Sequence, residues 1–436
     1  MGPLLRRVRG AAFVAACLAA AGPAAGQVER GDRHRLTVTL DATYVAPASD
    51  LAAWPGGGLG KLRYDEGDQG AQAARVLAEY RGRLTRTLAA HVTVDYHDGA
   101  SGGLGVTEAF VVHRPLPKSA NEHQWRFGAF YPPFSLENGD AGWSSPFTQS
   151  FSAVNTWLGE EVRPIGAEWS LRRRLGLGSP HELRAFAAAF MGNDPAGTLL
   201  FWRGWSLHDR QTRLDDRLAA PPKPIWVDGV IVGSRPQHVE PFEEIDDEPG
   251  AYAGLEWRYA RRVLVQAARY DNRSDPHAFA HGQWGWHTAF DHLAVQAELP
   301  GGVGLLAQWL RGETYWIEGA RSNGTLSPSA ELVKDRFEAS FVMVTKRLGG
   351  AHRASLRYDD FGVRRSEAAP ALVSDDGRAW TVAYRYERVP RWSVGVEWLA
   401  IESRRDLWPE FYGAPPEARE RQLRVGVAVR LGSRAQ

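Results

Sequence analysis

Six stretches of this chain alternate apolar and polar side chains with a period of two. HRLTVTLDATYV sets Leu36, Val38, Leu40, Ala42 and Tyr44 on one face and Thr37, Thr39, Asp41 and Thr43 on the other. TLAAHVTVDY, RFEASFVMVTK, RAWTVAYRYER, RWSVGVEWLA and QLRVGVAVRL repeat the pattern. Strict alternation over about ten residues specifies a strand with one apolar and one polar face. In the third of these the apolar set is Phe337, Ala339, Phe341 and Met343, against Arg336, Glu338 and Ser340. Weaker segments near 74–82, 106–114, 123–131, 164–173, 181–190, 251–259, 262–270, 286–299, 303–313 and 351–360 bring the total to about 16 strands.

The connections constrain the chain further, because they alternate in length. RGRLT, PLPKSANE, GLGSP, ARR, PGG, RLGG and RVP are short. Between them lie long ones, near 46–73, 97–105, 132–163, 191–250, 271–285, 314–334, 361–377 and 402–420. A sandwich has no reason to order its loops in this way, and a propeller would show a motif per blade. An even number of strands with tight turns at one end and long loops at the other predicts an all-β fold, a transmembrane antiparallel β-barrel with short periplasmic turns and long extracellular loops. In hydrocarbon an unpaired backbone group costs several kcal/mol, so the sheet must close. The polar faces are then expected to point inward. Aromatics such as Tyr44, Tyr96, Trp380 and Trp398 end the apolar faces, as membrane interfaces favour.

The N-terminus reads as an export signal over residues 1–26, leaving 27–436 as the barrel. Arg6, Arg7 and Arg9 precede an apolar run, and Ala24 and Gly26 are the small residues before a cleavage site. Val14–Cys17 offers a weaker alternative as a lipoprotein box, and a buried helix is a third reading. Removing residues 1–26 takes away three Arg and no acid, so the formal charge of +1 becomes −2. A near-neutral mature chain gives no electrostatic case for nucleic acid. Cys17, the only cysteine, leaves with the signal, so disulfides and cysteine metal sites are excluded.

Residues 132–163 form a long insert without a strand or helix period. It reads as a third loop folded into the lumen as a constriction, or alternatively as an external loop over the barrel mouth. Phe134, Trp143, Phe147, Phe151 and Trp157 would anchor it to the wall. Glu137, Asp140, Glu160 and Glu161 would form an acidic side of the pore. Arg126, Arg163 and Arg172 would face them, with Glu168 also lining the lumen. Opposed acid and base set a transverse field that selects ions.

RFGAFYPPFSLEN and SPFTQSFSAVNTWLGEEVRPIGAEW resemble Gram-negative porins, in particular the porin O/P-like group, best over Arg126 to Trp169. The resemblance implies an outer-membrane barrel, often a homotrimer, for passive diffusion of small hydrophilic solutes or ions. It implies lipid and lipopolysaccharide as surroundings, no nucleic acid and no cofactor. Two features depart from that group. Glu168 and Glu256 interrupt the arginine ladder of its phosphate-selective members, and the chain ends RLGSRAQ rather than on Phe.

Two other readings stay open. A barrel hydrolase acting on lipid or peptide would use pairs such as His97–Asp98, His208–Asp209 or Asp291–His292, although adjacent residues in a strand point to opposite faces. A barrel blocked for structural or adhesive use is the other. No GxSxG or HExxH motif occurs. The acidic run Glu240–Pro249 fits no EF-hand spacing and reads as a solvated loop, and no metal site is expected.

Overall fold

A computed structural model describes residues 33–97, 103–117, 119–176, 178–222, 236–318, 321–322, 325–326, 331–367, 374–388, 392–406 and 408–432. The expected signal peptide, the Val14–Cys17 box, Asp98, residues 223–235 and the last four residues lie outside them.

Sixteen strands close into one barrel. They are β1 (His34–Ala48), β2 (Gly70–Arg83), β3 (Leu88–His97), β4 (Gly103–His113), β5 (Asn121–Ala129), β6 (Ile165–Arg174), β7 (His181–Met191) and β8 (Gly250–Tyr259). The second half comprises β9 (Val263–Asp271), β10 (His287–Leu299), β11 (Val303–Glu318), β12 (Glu331–Arg347), β13 (His352–Glu367), β14 (Asp375–Arg388), β15 (Trp392–Arg404) and β16 (Glu417–Gly432). Every strand pairs antiparallel with its sequence neighbours, and β1 pairs with β16 from Thr37↔Gly432 to Ala48↔Arg421. Closure leaves no sheet edge unpaired, as a lipid-embedded sheet requires. The connection expected at 97–105 narrows to 98–102, outside the described residues.

The wall is apolar outside and polar within. On β14 and β15, Trp380, Val382, Val396 and Trp398 are exposed, while the intervening Thr381 and Glu397 are buried. On β16, Leu423 and Val425 point out and Gln422 and Arg424 point in. Tyr44 and Tyr96 also face outward. An exterior of exposed large apolar residues over a polar interior is the face that a lipid bilayer selects. No described helix is long and apolar enough to cross a membrane.

One strand departs from the expected orientation. On β12 the apolar set Phe337, Phe341 and Met343 is fully buried inside, and Val342 and Val344 face out. The cause is that the inside is not open at this level: chain segments from the loops fill it and present apolar surface of their own.

Candidate functional site

The segment 130–164 between β5 and β6 crosses the interior. Its entry is shaped by Gly128, with φ +127 and a position at which a Cβ would lie 2.2 Å from the Ala109 carbonyl oxygen, so only glycine fits there. Beyond it Phe134 meets the wall at Tyr252, Phe290 and His292, with ring centroids 5.3, 5.9 and 5.5 Å away. Full burial of such a ring contributes roughly 1.5–3 kcal/mol. Trp143 stacks on Tyr131 at 4.1 Å and meets Phe151 edge-on. Phe147 carries the Arg353 guanidinium above it at 5.0 Å.

Helix α1 (Ala153–Glu161) follows, with the Ser152 side chain capping it by accepting from the Asn155 N–H. Every residue of α1 is buried. Trp157 packs on Phe290 and Phe337, and its indole N–H donates to Glu161 at 2.7 Å. The far wall grips the segment through charged groups. Arg357 of β13 pairs with Glu137 at 2.6 Å and with Asp359 at 2.8 Å, and donates to the carbonyls of Ser150 and Phe151. Glu397 of β15 accepts N–H bonds from Gln149 and Ser150, and Asp359 accepts one from Ala153.

A second segment, after β7, enters alongside. Gly197, with φ +99, starts helix α2 (Thr198–Arg203) against Thr288 and Thr314 of the wall. Glu161 accepts the N–H groups of Leu199 and Leu200 at the start of α2. Burial pushes the Glu161 carboxyl up to about 7, opposed by the Leu199 N–H and reinforced by the charge of Glu160. Glu160 pairs with Arg203 at 2.5 Å and with His208 at 3.1 Å. Burial alone would raise its carboxyl, but those two partners hold it at about 2. The first long loop adds Lys61, whose ammonium meets Asp375 at 2.6 Å and the Trp205 carbonyl at 2.8 Å.

The acids expected to face the pore therefore need correction in part. Glu137, Glu160 and Glu161 are sealed in bonds that fasten the loop segments, because a buried carboxylate must be paired. Arg163 is equally enclosed: its guanidinium lies 3.5 Å over the Tyr131 ring and donates to the carbonyls of Thr107, Gly159 and Thr212. Arg126 and Glu168 face each other on the inner wall at 2.6 Å, with the Tyr252 hydroxyl also donating to Glu168 at 2.6 Å. Arg184 lies 3.7 Å from Glu168 and 3.8 Å from Glu256. Arg172, near the short turns, meets Glu182 at 3.4 Å and stays half exposed. Asp140 is partly exposed and pairs with Arg430 at 2.9 Å.

Open space remains on the short-turn side. A cavity of about 190 Å³ runs along β1, β14, β15 and β16 past Asp140, Arg385, Arg424 and Arg430. A cavity of about 480 Å³ begins on the other side of Asp140 and reaches Arg81, Arg83 and Arg114. A third, of about 590 Å³, is lined by Arg172, Arg174, Arg258, Arg261 and Arg262 against Glu122 and Glu182.

Two of the three His–Asp pairs are otherwise engaged, and the third includes Asp98, outside the described residues. His208 and Asp209 lie in a loop, not a strand; His208 packs at a tilt against Trp54, and Asp209 pairs with Arg63 and Arg424. Asp291 is exposed outside with Arg269, while His292 is buried inside against Gln308. Arg357, Glu397 and Lys61 were missed by sequence reasoning. The inward position of Arg357 and Glu397 is readable from the alternation, but their partners lie up to 248 residues away.

No protein-family model matches the chain, and no curated protein matches it. Solved structures do. An anion-selective porin from Comamonas acidovorans is 10% identical, with 91% of this chain and 99% of that chain covered at a TM-score of 0.50. Salmonella typhi OmpF, in complex with daunomycin, is 10% identical over 91% and 97%, also at 0.50. The outer membrane channel DcaP of Acinetobacter baumannii is 13% identical over 94% and 100%, at 0.49. At such identities the likeness establishes the fold, a 16-stranded barrel of the kind that porins share.

Proposed function

We propose that the protein is an outer-membrane porin of a Gram-negative cell, exported by the signal at 1–26, and a passive diffusion channel for small hydrophilic solutes or ions. The observation that carries this reading is the pair of cavities meeting at Asp140, lined by facing acids and arginines beside the in-folded 130–164 segment. Asp140 and Arg172 are proposed to line the path, while Arg126 and the buried Glu168, bonded to each other and to Tyr252, set the charge of the wall behind it. Glu137, Glu160, Glu161 and Arg163 act on it indirectly, by holding the constricting segment. The excess of Arg over Glu around the cavity of about 590 Å³ favours anions at the periplasmic mouth. A homotrimer set in lipid and lipopolysaccharide fits the reading. The finer kinship to the porin O/P-like group rests on Arg126–Trp169 alone.

A second reading is favoured by one observation. Residues 193–213 are almost all buried, as is α1, so the loop segments close the lumen densely enough for a blocked structural barrel. Single-channel recording of the refolded protein in a planar bilayer separates the two. Stable steps support the channel. A folded barrel without steps at any voltage removes it.

A further inference from the structure

The acidic run Glu240–Pro249 does not stand away from the barrel. It returns to the end of β7, where the carboxylates of Asp194, Glu244 and Asp246 converge with an oxygen of each within 4.8 Å of the others. Among the described residues none of the three is paired with a lysine or arginine. Asp194 is buried, and its Oδ1 has no hydrogen-bond partner. Three facing carboxylates without a counter-charge, one of them sealed from water, are costly unless a cation lies between them or one of them takes up a proton, and only the first leaves a site that a metal ion titrates.

We propose that Asp194, Glu244 and Asp246 form a binding site for a divalent cation of the calcium type on the extracellular face. Calcium takes six to eight oxygen ligands in flexible geometry, largely from carboxylates. The oxygens here are pre-positioned. Asp194 Oδ2 accepts the Ile245 N–H at 2.5 Å, Glu244 accepts from Gly192 and Asp247, and Asp246 accepts from Ser274, Asp275 and Glu248. An oxygen that accepts one N–H keeps a lone pair for a cation. Asp194 is buried, whereas Glu244 and Asp246 are partly exposed, so the ion would enter from outside.

The bound ion would join three places in the chain: the start of the 192–249 loop, its return, and, through the Asp246 bonds to Ser274 and Asp275, the following loop. The first of these loops carries α2 into the lumen, so the ion would staple it at its root. The site stands whether or not the barrel conducts, because binding is measured without a bilayer.

The test is a terbium titration of the refolded full-length mature protein in detergent free of lipopolysaccharide, followed by displacement with calcium. Tryptophan excitation reads the bound ion, Trp286 being the tryptophan tied to the site, through its backbone N–H to the Asp194 carbonyl at 2.8 Å. One saturable site displaced by calcium is expected. E244Q/D246N should weaken it by on the order of tenfold or more, since the charge count of the ligands sets affinity. These neutral isosteres remove repulsion, so the barrel should still fold, as gel mobility before and after heating will show. D247N/E248Q, which neutralises the neighbouring acids of the same run, should bind like the wild type. No saturable site in the wild type overturns the proposal. Equal loss in both double variants, or none in E244Q/D246N, overturns it as well.

Discussion

Arg357→Met should release the 130–164 segment. The arginine is fully enclosed and bonds Glu137 at 2.6 Å, Asp359 at 2.8 Å and the carbonyls of Ser150 and Phe151 at 2.8 and 2.9 Å. Methionine fills a similar volume but leaves two buried carboxylates without their cation. Breaking a buried pair in this way costs about 3–5 kcal/mol. The penalty falls on the docked state alone, because a released loop returns Glu137 to water. At 1.4 kcal/mol per tenfold, the released population rises by roughly 10²–10³-fold or slightly more. Proteolysis of a transiently opened segment follows that population when reclosing is fast. Chymotrypsin cleavage of the folded barrel at the aromatic sites between Trp143 and Trp157 should therefore accelerate by roughly a hundredfold or more, while the barrel keeps its folded mobility. The triple change E137Q/R357M/D359N removes the stranded charges and should recover most of the protection. Single-channel current in R357M should be larger and noisier. If R357M is cut no faster than the wild type, or the triple variant no more slowly than R357M, the ion network does not hold the segment.

Three further outcomes are expected. Glu161 is raised to about 7 from an ordinary 4.5, so its contribution is full below about 4.5 and is lost as pH rises through about 7; the urea concentration that exposes the loop tryptophans should fall between about pH 4.5 and 7 and level off above, and E161Q should flatten that slope. Neutralising the short-turn vestibule with R174Q/R261Q/R262Q should shift the zero-current potential in a salt gradient toward cations, and an unchanged potential would place the path elsewhere. G197A puts a Cβ 2.2 Å from the Thr314 hydroxyl at a φ of +99, so docking of α2 should weaken by about 1–3 kcal/mol, read as faster hydrogen exchange at 198–203 with the strands unaffected.

Much of the fold was legible because a membrane barrel repeats one simple rule. Six clearly alternating segments and about ten weaker ones, separated by connections of alternating length, carry the strand order with them, since each strand pairs with the next. The positions of Tyr44, Tyr96, Trp380 and Trp398 followed from the same rule. The site was legible only as a location. That 132–163 carries aromatic anchors is visible in its composition, but the partners of those anchors come from strands far along the chain. Glu137 illustrates the limit. Its charge suggested a solvent-facing acid, and only the closed barrel brings Arg357 to it.

The inverted strand β12 shows why the lumen resists reading from sequence. Alternation identifies two faces but carries no mark of which is outer; that choice is made by assuming an aqueous interior. Phe337, Phe341 and Met343 break the assumption because they join a core built with loop residues, Trp157 and Trp205 meeting the Phe337 ring from two different loops. The outward face then carries Arg336 and Glu338 at the loop end, and only Val342 and Val344 lower down. A strand whose apolar face is continuous while its other face turns charged toward the extracellular end thus indicates apolar loop matter inside the barrel at that height. Replacing Phe337 with serine is a direct check of that inference. If the residue faced lipid, the change would weaken membrane insertion. Facing the loops, it should leave insertion intact and loosen Trp157, seen as a red-shifted and more readily quenched tryptophan emission from a normally folded barrel.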